Sequence, residues 1–235
     1  MKPDMNSQEK VSEQSRAALH SGRVLIMTAV EAERQAVLRG IGDSPIFDVK
    51  LAGFGPASAA ARTAAALPCS QYGLVISAGI AGGFPGKADI GTIVVANRII
   101  AADLGAETPD GFLSVDELGF GSSVAIPEPV LVQALTDQMR SAGISVHSGP
   151  ILTVTTGTGS AERTAALTAR ISEAAAEGME GFGVATAAGL WSLPVLEVRA
   201  ISNAVGPRDR SAWRMKEAFE ALEIAGAHLR RLLTE

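Results

Sequence analysis

A single cysteine, Cys69, stands in a chain of 235 residues with three histidines. One cysteine closes no intrachain disulfide, and this Cys/His set is too small for a metal cluster. Cys69 itself reads as a small buried apolar side chain at the 67–69 turn, in a reducing compartment. Aromatic residues are also scarce, at 4%. Positive charge is not in excess: 20 Lys and Arg face 25 Asp and Glu, a net charge of −5. That argues against a nucleic-acid binder, which would normally show a basic face. Long apolar runs are missing too. The most apolar stretch, 184–201, is broken by Pro194, Glu197 and Arg199, which excludes a conventional membrane span. Residues 1–22 hold no apolar core of the kind a secretory signal needs and read as a mobile tail before one domain, 23–235. A cytoplasmic protein is expected.

What the chain does have is 47% hydrophobic residues, enough for a sizeable core. Apolar strands are expected at 23–29, 46–52, 73–79, 91–103, 150–156 and 195–202. Helices are expected at 31–40, 57–67, 128–142 and 161–177, from near Glu180, and at 211–233. The region 104–126 reads as loop. Strands alternating with helices imply an α/β domain whose largely parallel sheet is covered on both faces.

In such sheets ligands bind beyond the carboxyl ends of the strands. Glu33, Phe54, the 79–83 glycine cluster with Gly79 and Ile80, Thr155 with Thr156, and Asn203 all fall there. Each has a plainer reading. Glu31 and Glu33 suit a helix N-terminus, although a carboxylate at a strand exit can also take a proton from water. GFGPAS, 53–58, lacks the third glycine and the later acid of a dinucleotide fingerprint; a tight turn fits it better. GIAGGF, 79–84, is either a plain turn or a surface where a flat base or a ribose approaches the main chain. Glu180, after Met179, either starts a helix or accepts from both hydroxyls of a ribose. Asn203 is either a turn residue or a donor–acceptor pair matching O6 and a protonated N7 of a 6-oxopurine. Trp213 reads as packing, and Arg208, Asp209 and Arg210 as a solvated loop.

The segments AVEAE, SAGIAGG, GMEGFGVA and VRAISN together resemble the nucleoside phosphorylase/hydrolase family, most closely its methylthioadenosine nucleosidase branch. The run ISNAVGPRDRSAW is similar to the futalosine hydrolases within it. The resemblance implies a single α/β domain around a central mixed, barrel-like sheet, in dimers or larger homo-oligomers. It implies a small nucleoside and water as partners, and no metal or organic cofactor. By the same resemblance Glu33 is the water-activating glutamate, where phosphorylases carry a phosphate-binding arginine. Glu180 holds the ribose hydroxyls and Met179 packs beneath the sugar. Ile80 replaces a serine of many nucleosidases. Asn203 replaces the aspartate of adenine-cleaving relatives, which points to hypoxanthine as the leaving group. For a 5′ arm ending in a benzoate, Arg208 or Arg210 is expected at the carboxylate. Phe54, Phe112, Phe120 or Trp213 is expected on the ring, with a neighbouring subunit as one possible source.

Overall fold

The computed structural model describes residues 22–235; the tail expected at 1–22 lies almost wholly outside them. The chain runs β1 (Arg23–Thr28), α1 (Glu31–Ile41), β2 (Phe47–Leu51), α2 (Pro56–Ala66), β3 (Tyr72–Gly83), β4 (Ile93–Ala101), β5 (Gly105–Thr108), β6 (Gly111–Ser114), β7 (Val124–Ala125), α3 (Pro129–Ser141), β8 (Val146–Thr153), α4 (Ala161–Arg170), β9 (Ala176–Gly178), α5 (Gly181–Leu190), β10 (Val195–Ala204) and α6 (Met215–Thr234). Strands β10, β4, β8, β9 and β3 form a closed ring, because β3 pairs with β10 as well as with β9. β1 and β2 extend the sheet from β3. The sheet is mixed: β10 with β4 and β3 with β9 are antiparallel, whereas β3 pairs parallel with β1 and β10. The single α/β domain with a barrel-like mixed sheet is as the family resemblance implied. The largely parallel sheet read from strand–helix alternation holds for five of the eight pairings in this sheet; β10–β4, β3–β9 and β4–β7 are the antiparallel ones that make it mixed.

Closure decides several local differences from expectation. The strand expected to end at residue 79 continues to Gly83. Its glycines mark close backbone approach rather than a turn: a Cβ at Gly83 would collide with the Ala88 carbonyl oxygen. The helix expected over 161–177 ends at Arg170, and 176–178 is a barrel strand. The run of alanines favours a helix locally. Here the Ala175 amide donates to the Pro150 carbonyl and the Ala175 carbonyl accepts from Phe84, so tertiary pairing prevails. The region 104–126 is not all loop, since β5 and β6 form a hairpin and β7 pairs with β4. The last helix starts at Met215, after a separate 3₁₀ turn at Arg210–Ala212. Cys69 is exposed, because the turn that carries it leaves the core after Leu67.

Among the described residues, three apolar clusters cover the sheet, the smallest joining Leu167 of α4 to Ile100 and Leu152. One packs α1, α3 and α6 through Val37, Leu135 and Leu222 against Ile26, Ile76 and Val198. Another includes Ala59, Val184 and Ala188 of α2 and α5, with Leu25, Val75 and Val94. Alanine and glycine allow the second pair of helices to lie close. A Cβ at Gly183 would fall against the Pro56 carbonyl oxygen at the start of α2. We expect Gly183→Ala to cost about 1–3 kcal/mol in urea unfolding, the usual range for an overpacked core. A change below about 0.5 kcal/mol, the range of an ordinary surface substitution, would mean that the α2–α5 contact yields freely.

Candidate active site

The ends of β1, β2, β3, β8, β9 and β10 converge on one cavity of about 600 Å³. Glu33, Phe54, Ile80, Thr155, Met179, Glu180, Asn203, Arg208 and Trp213 all line it. Gly79 lies beneath: a Cβ there would stand 2.6 Å from Glu33 Oε1 and 2.7 Å from Arg199 Nη1. Arg210 is not in the lining; its guanidinium lies 5.9 Å from the Trp213 ring, with Arg208 at 5.3 Å. Phe112 sits elsewhere, beneath Arg170 at 4.1 Å, in a second cavity of about 570 Å³. Phe120 is 83% exposed and away from the site cavity within this chain.

Glu33 stands in the first turn of α1 yet is 3% exposed. Its Oε2 accepts from the amides of Ala29 at 2.8 Å and Val30 at 3.2 Å, and Oε1 accepts from Ile80 at 2.9 Å. An ionised carboxylate has about four lone-pair sites, so one site on Oε1 remains for a ligand. Burial pushes this carboxyl above the usual glutamate range. Arg199 and the Ile80 and Val30 amides oppose that rise, and nearby Glu180 adds to it.

Beneath the cavity Arg199 is 1% exposed. Its Nε donates to Glu197 Oε1 at 2.8 Å, Nη1 to Glu180 Oε2 at 3.2 Å, and Nη2 to Ser77 Oγ at 3.1 Å. Burial alone would lower its pKa, but Glu197, Glu180 and Glu33 outweigh burial and hold the guanidinium firmly protonated. Glu197 is fully buried, which raises its carboxyl against the pull of Arg199. Its Oε2 has no hydrogen-bond partner among the described residues. Glu180 Oε1 accepts from the Gly55 amide at 3.3 Å, so the GFGP turn serves as a backbone donor beside the cavity.

Asn203 owes its position to a bulge. Ile201 pairs with Ala81 and Asn203 with Gly82, so Ser202 is an extra residue in β10. Bulges re-aim side chains, and here Ser202 and Asn203 both reach the cavity. The Ser202 hydroxyl donates to Asn203 Oδ1 at 2.8 Å, while Nδ2 donates to the Ala204 carbonyl at 2.9 Å. A carbonyl only accepts, so these contacts fix which end of the amide is which.

Sequence reading passed over Arg199, Glu197 and Glu177 as site residues. The first two had a signal: charged residues two apart in an apolar strand share one face. Glu177 was hidden in the overlong helix. It lines the cavity at 9% exposure, and both its oxygens accept from Thr158.

The chain belongs to the Phosphorylase superfamily, which its residues 7–235 match. It is 47% identical to the futalosine hydrolase of Streptomyces coelicolor, over 89% of this chain and 96% of that protein. It is 45% identical to that of Acidothermus cellulolyticus, over 87% and 89%. Among solved structures it shares the fold of futalosine hydrolase from Helicobacter pylori (TM-score 0.74, 17% identity, 89% of this chain and 96% of that one). The 5′-methylthioadenosine/S-adenosylhomocysteine nucleosidase of the same organism has that fold too (TM-score 0.75, 17% identity, 90% and 97%).

Removing one partner of a buried ion pair typically costs about 3–5 kcal/mol. We expect Arg199→Met to lose that much near neutral pH, because Glu197 and Glu180 then lack their cation. The remaining carboxyls would then have folded-state pKa values raised above their unfolded values. The folded state holds protons more tightly, so its deficit shrinks as pH falls through the raised values toward the ordinary glutamate value. Urea unfolding at about pH 8 and pH 5.5 measures this; a deficit independent of pH would refute the carboxylate account.

Proposed function

We propose that this chain hydrolyses the N-glycosidic bond of futalosine, releasing hypoxanthine and dehypoxanthinyl futalosine, as a step of menaquinone biosynthesis. The observation that carries the reading is Glu33, a buried carboxylate held by three main-chain amides with one acceptor site toward the cavity. A carboxylate repels phosphate and accepts a proton from water. The similarity to two curated futalosine hydrolases supports the choice of substrate.

In this reading the C1′–N9 bond breaks with its electron pair passing to the purine, which leaves protonated at N7. The N7 proton comes from solvent, because an amide is no acid, and Asn203 Oδ1 accepts from N7–H. The free N–H of Nδ2 donates to O6. An adenine would set its 6-amino group against that NH₂. Leaving buried polar groups mispaired costs about 1–3 kcal/mol each. Glu180 accepts from the ribose hydroxyls, and its charge favours the developing ribosyl cation. Met179 packs beneath the sugar. Water bonds to C1′ as its proton passes to Glu33. Ile80 and Thr155 shape the walls, and Gly79 leaves room beneath for Glu33 and Arg199.

We assign the benzoate of the 5′ arm to Arg208, a reading supported by its position in the cavity lining beside Trp213, with the exposed Phe54 lining the same cavity. Arg210 lies outside the cavity lining, 5.9 Å from the Trp213 ring, and is the weaker candidate. We further read the enzyme as a cytoplasmic homodimer or larger homo-oligomer. Among the described residues no helix is long and apolar enough to cross a membrane, and Phe120 is an exposed aromatic that a neighbouring subunit can cover.

The test is incubation with futalosine, inosine or methylthioadenosine in phosphate-free buffer, with the free base followed by chromatography. Hypoxanthine from futalosine, without adenine from methylthioadenosine, is the expected result; a requirement for phosphate would move the assignment to a phosphorylase. Glu33→Gln should lower kcat by about 10²–10⁴-fold, the usual contribution of a general base. In the wild type the acidic limb of kcat/KM should lie above the ordinary glutamate range, since Glu33 must be ionised and burial raises its carboxyl.

A further inference from the structure

One carboxylate in the cavity has no part in the reaction as described. Glu177 of β9 is 9% exposed and lines the cavity. Gly82 of β3 pairs with Glu177 on one side and with Asn203 on the other. Residues directly opposite across paired strands project to the same face of a sheet. Glu177 and Asn203 therefore flank a position that has no side chain, two strand spacings apart, on the order of 10 Å. A Cβ at Gly82 would narrow that gap, standing 3.3 Å from Asn203 Nδ2 and 2.9 Å from Val205 Cγ2. The glycine keeps open a trough that a flat ring can enter.

The carboxylate is fixed before any ligand arrives. Thr158 donates its amide to Oε1 at 2.8 Å and its hydroxyl to Oε2 at 2.5 Å. Those two donors leave about two lone-pair sites unused. Burying a carboxylate is costly unless donors satisfy it, and the side left open is the cavity. Anchoring the 155–158 segment would need only the Thr158 contacts. It would not need an acid exposed to the ligand space at the level of Asn203.

A 6-oxopurine has a donor for such a site. Its N1 carries hydrogen, next to the O6 acceptor, whereas N1 of a 6-aminopurine is a bare lone pair. A carboxylate accepts from the first and repels the second. We propose that Glu177 is a specificity-determining residue that accepts a hydrogen bond from N1–H of the leaving base, on the side of the ring away from Asn203. This rests on the 6-oxopurine reading given above and extends it. Asn203 reads the O6–N7 edge, Glu177 reads N1, and the 6-amino analogue is mispaired at both.

The test uses the whole protein and two free bases as inhibitors of futalosine hydrolysis, hypoxanthine and 1-methylhypoxanthine, which lacks the N1 hydrogen. The variants are Glu177→Gln, nearly isosteric, and Glu177→Ala, both checked by thermal melting. Wild-type protein should bind hypoxanthine more tightly than its 1-methyl derivative. In Glu177→Gln the hypoxanthine inhibition constant should rise on the order of 10- to 100-fold, with little change for 1-methylhypoxanthine, so that the preference collapses. kcat/KM on futalosine should fall in parallel. A preference unchanged in both variants overturns the proposal while leaving the hydrolase reading intact. Wild-type protein that releases no hypoxanthine from futalosine overturns that reading, and this proposal with it.

Discussion

A guanidinium at 1% exposure requires nearby negative charge, and much of this site follows from how Arg199 obtains it. Removing a charge from water is tolerated only where partners and hydrogen bonds replace the solvent. Two carboxylates and a serine hydroxyl meet the three guanidinium nitrogens. Backbone then has to clear the space. A Cβ at Gly181 would collide with the Glu197 carboxylate, and one at Gly178 would stand 3.2 Å from Arg199 Cζ. Thus Met179 and Glu180 lie between two glycines whose smallness is set by the ion cluster beneath them. The cluster adds little to stability by the usual accounting for buried pairs. Its effect is to hold Glu180 in one orientation in the cavity wall.

The mouth of the barrel follows a second constraint, the irregular ends of its strands. The extra residue Ser202 puts Asn203 opposite Gly82, and β9 brings Glu177 to the other side of the same glycine. Three short β9 residues thus do what an extension of α4 could not: they close the ring and deliver Glu177, with Met179 and Glu180 immediately after. Site and closure are built by the same few residues.

Those two constraints also explain what the sequence disclosed. The continuous apolar strands and the helix after β1, with Glu33 in its first turn, are patterns of neighbouring residues, so they could be read directly; Ile80 and Asn203, read as lying just past their strands, fall inside β3 and β10 because those strands run on to close the ring. The parallel bias of the first reading came from alternation alone, which does not encode the antiparallel β3–β9 and β10–β4 pairings that close the ring. The alanines before Glu177 favour a helix by local propensity, and only pairing with β3 and β8 makes a strand of 176–178. Glu197 and Arg199 were legible as two charges on one strand face but not as a pair, because burial on both sides of a closed sheet is a property of the tertiary structure. Cys69 shows the converse error: its residue type favours burial, but the turn that carries it faces solvent.

The charge balance at the cavity bears on why water, rather than phosphate, suits this pocket. Glu33, Glu177 and Glu180 line it, Glu197 lies beneath, and Arg199 is the one buried cation beside them, with Arg208 at the edge. An entering phosphate would meet carboxylates at the face where it must attack, with the guanidinium already engaged by Glu180 and Glu197. A ribosyl cation forming in the same space meets the reverse field, and in a poorly solvated cavity that difference is larger than in water. Burial raises the carboxyls of Glu33 and Glu197, Arg199 opposes the rise and Glu180 adds to it. Positive charge developing at C1′ is favoured beside such carboxylates, and a neutral nucleophile adds no further negative charge among them.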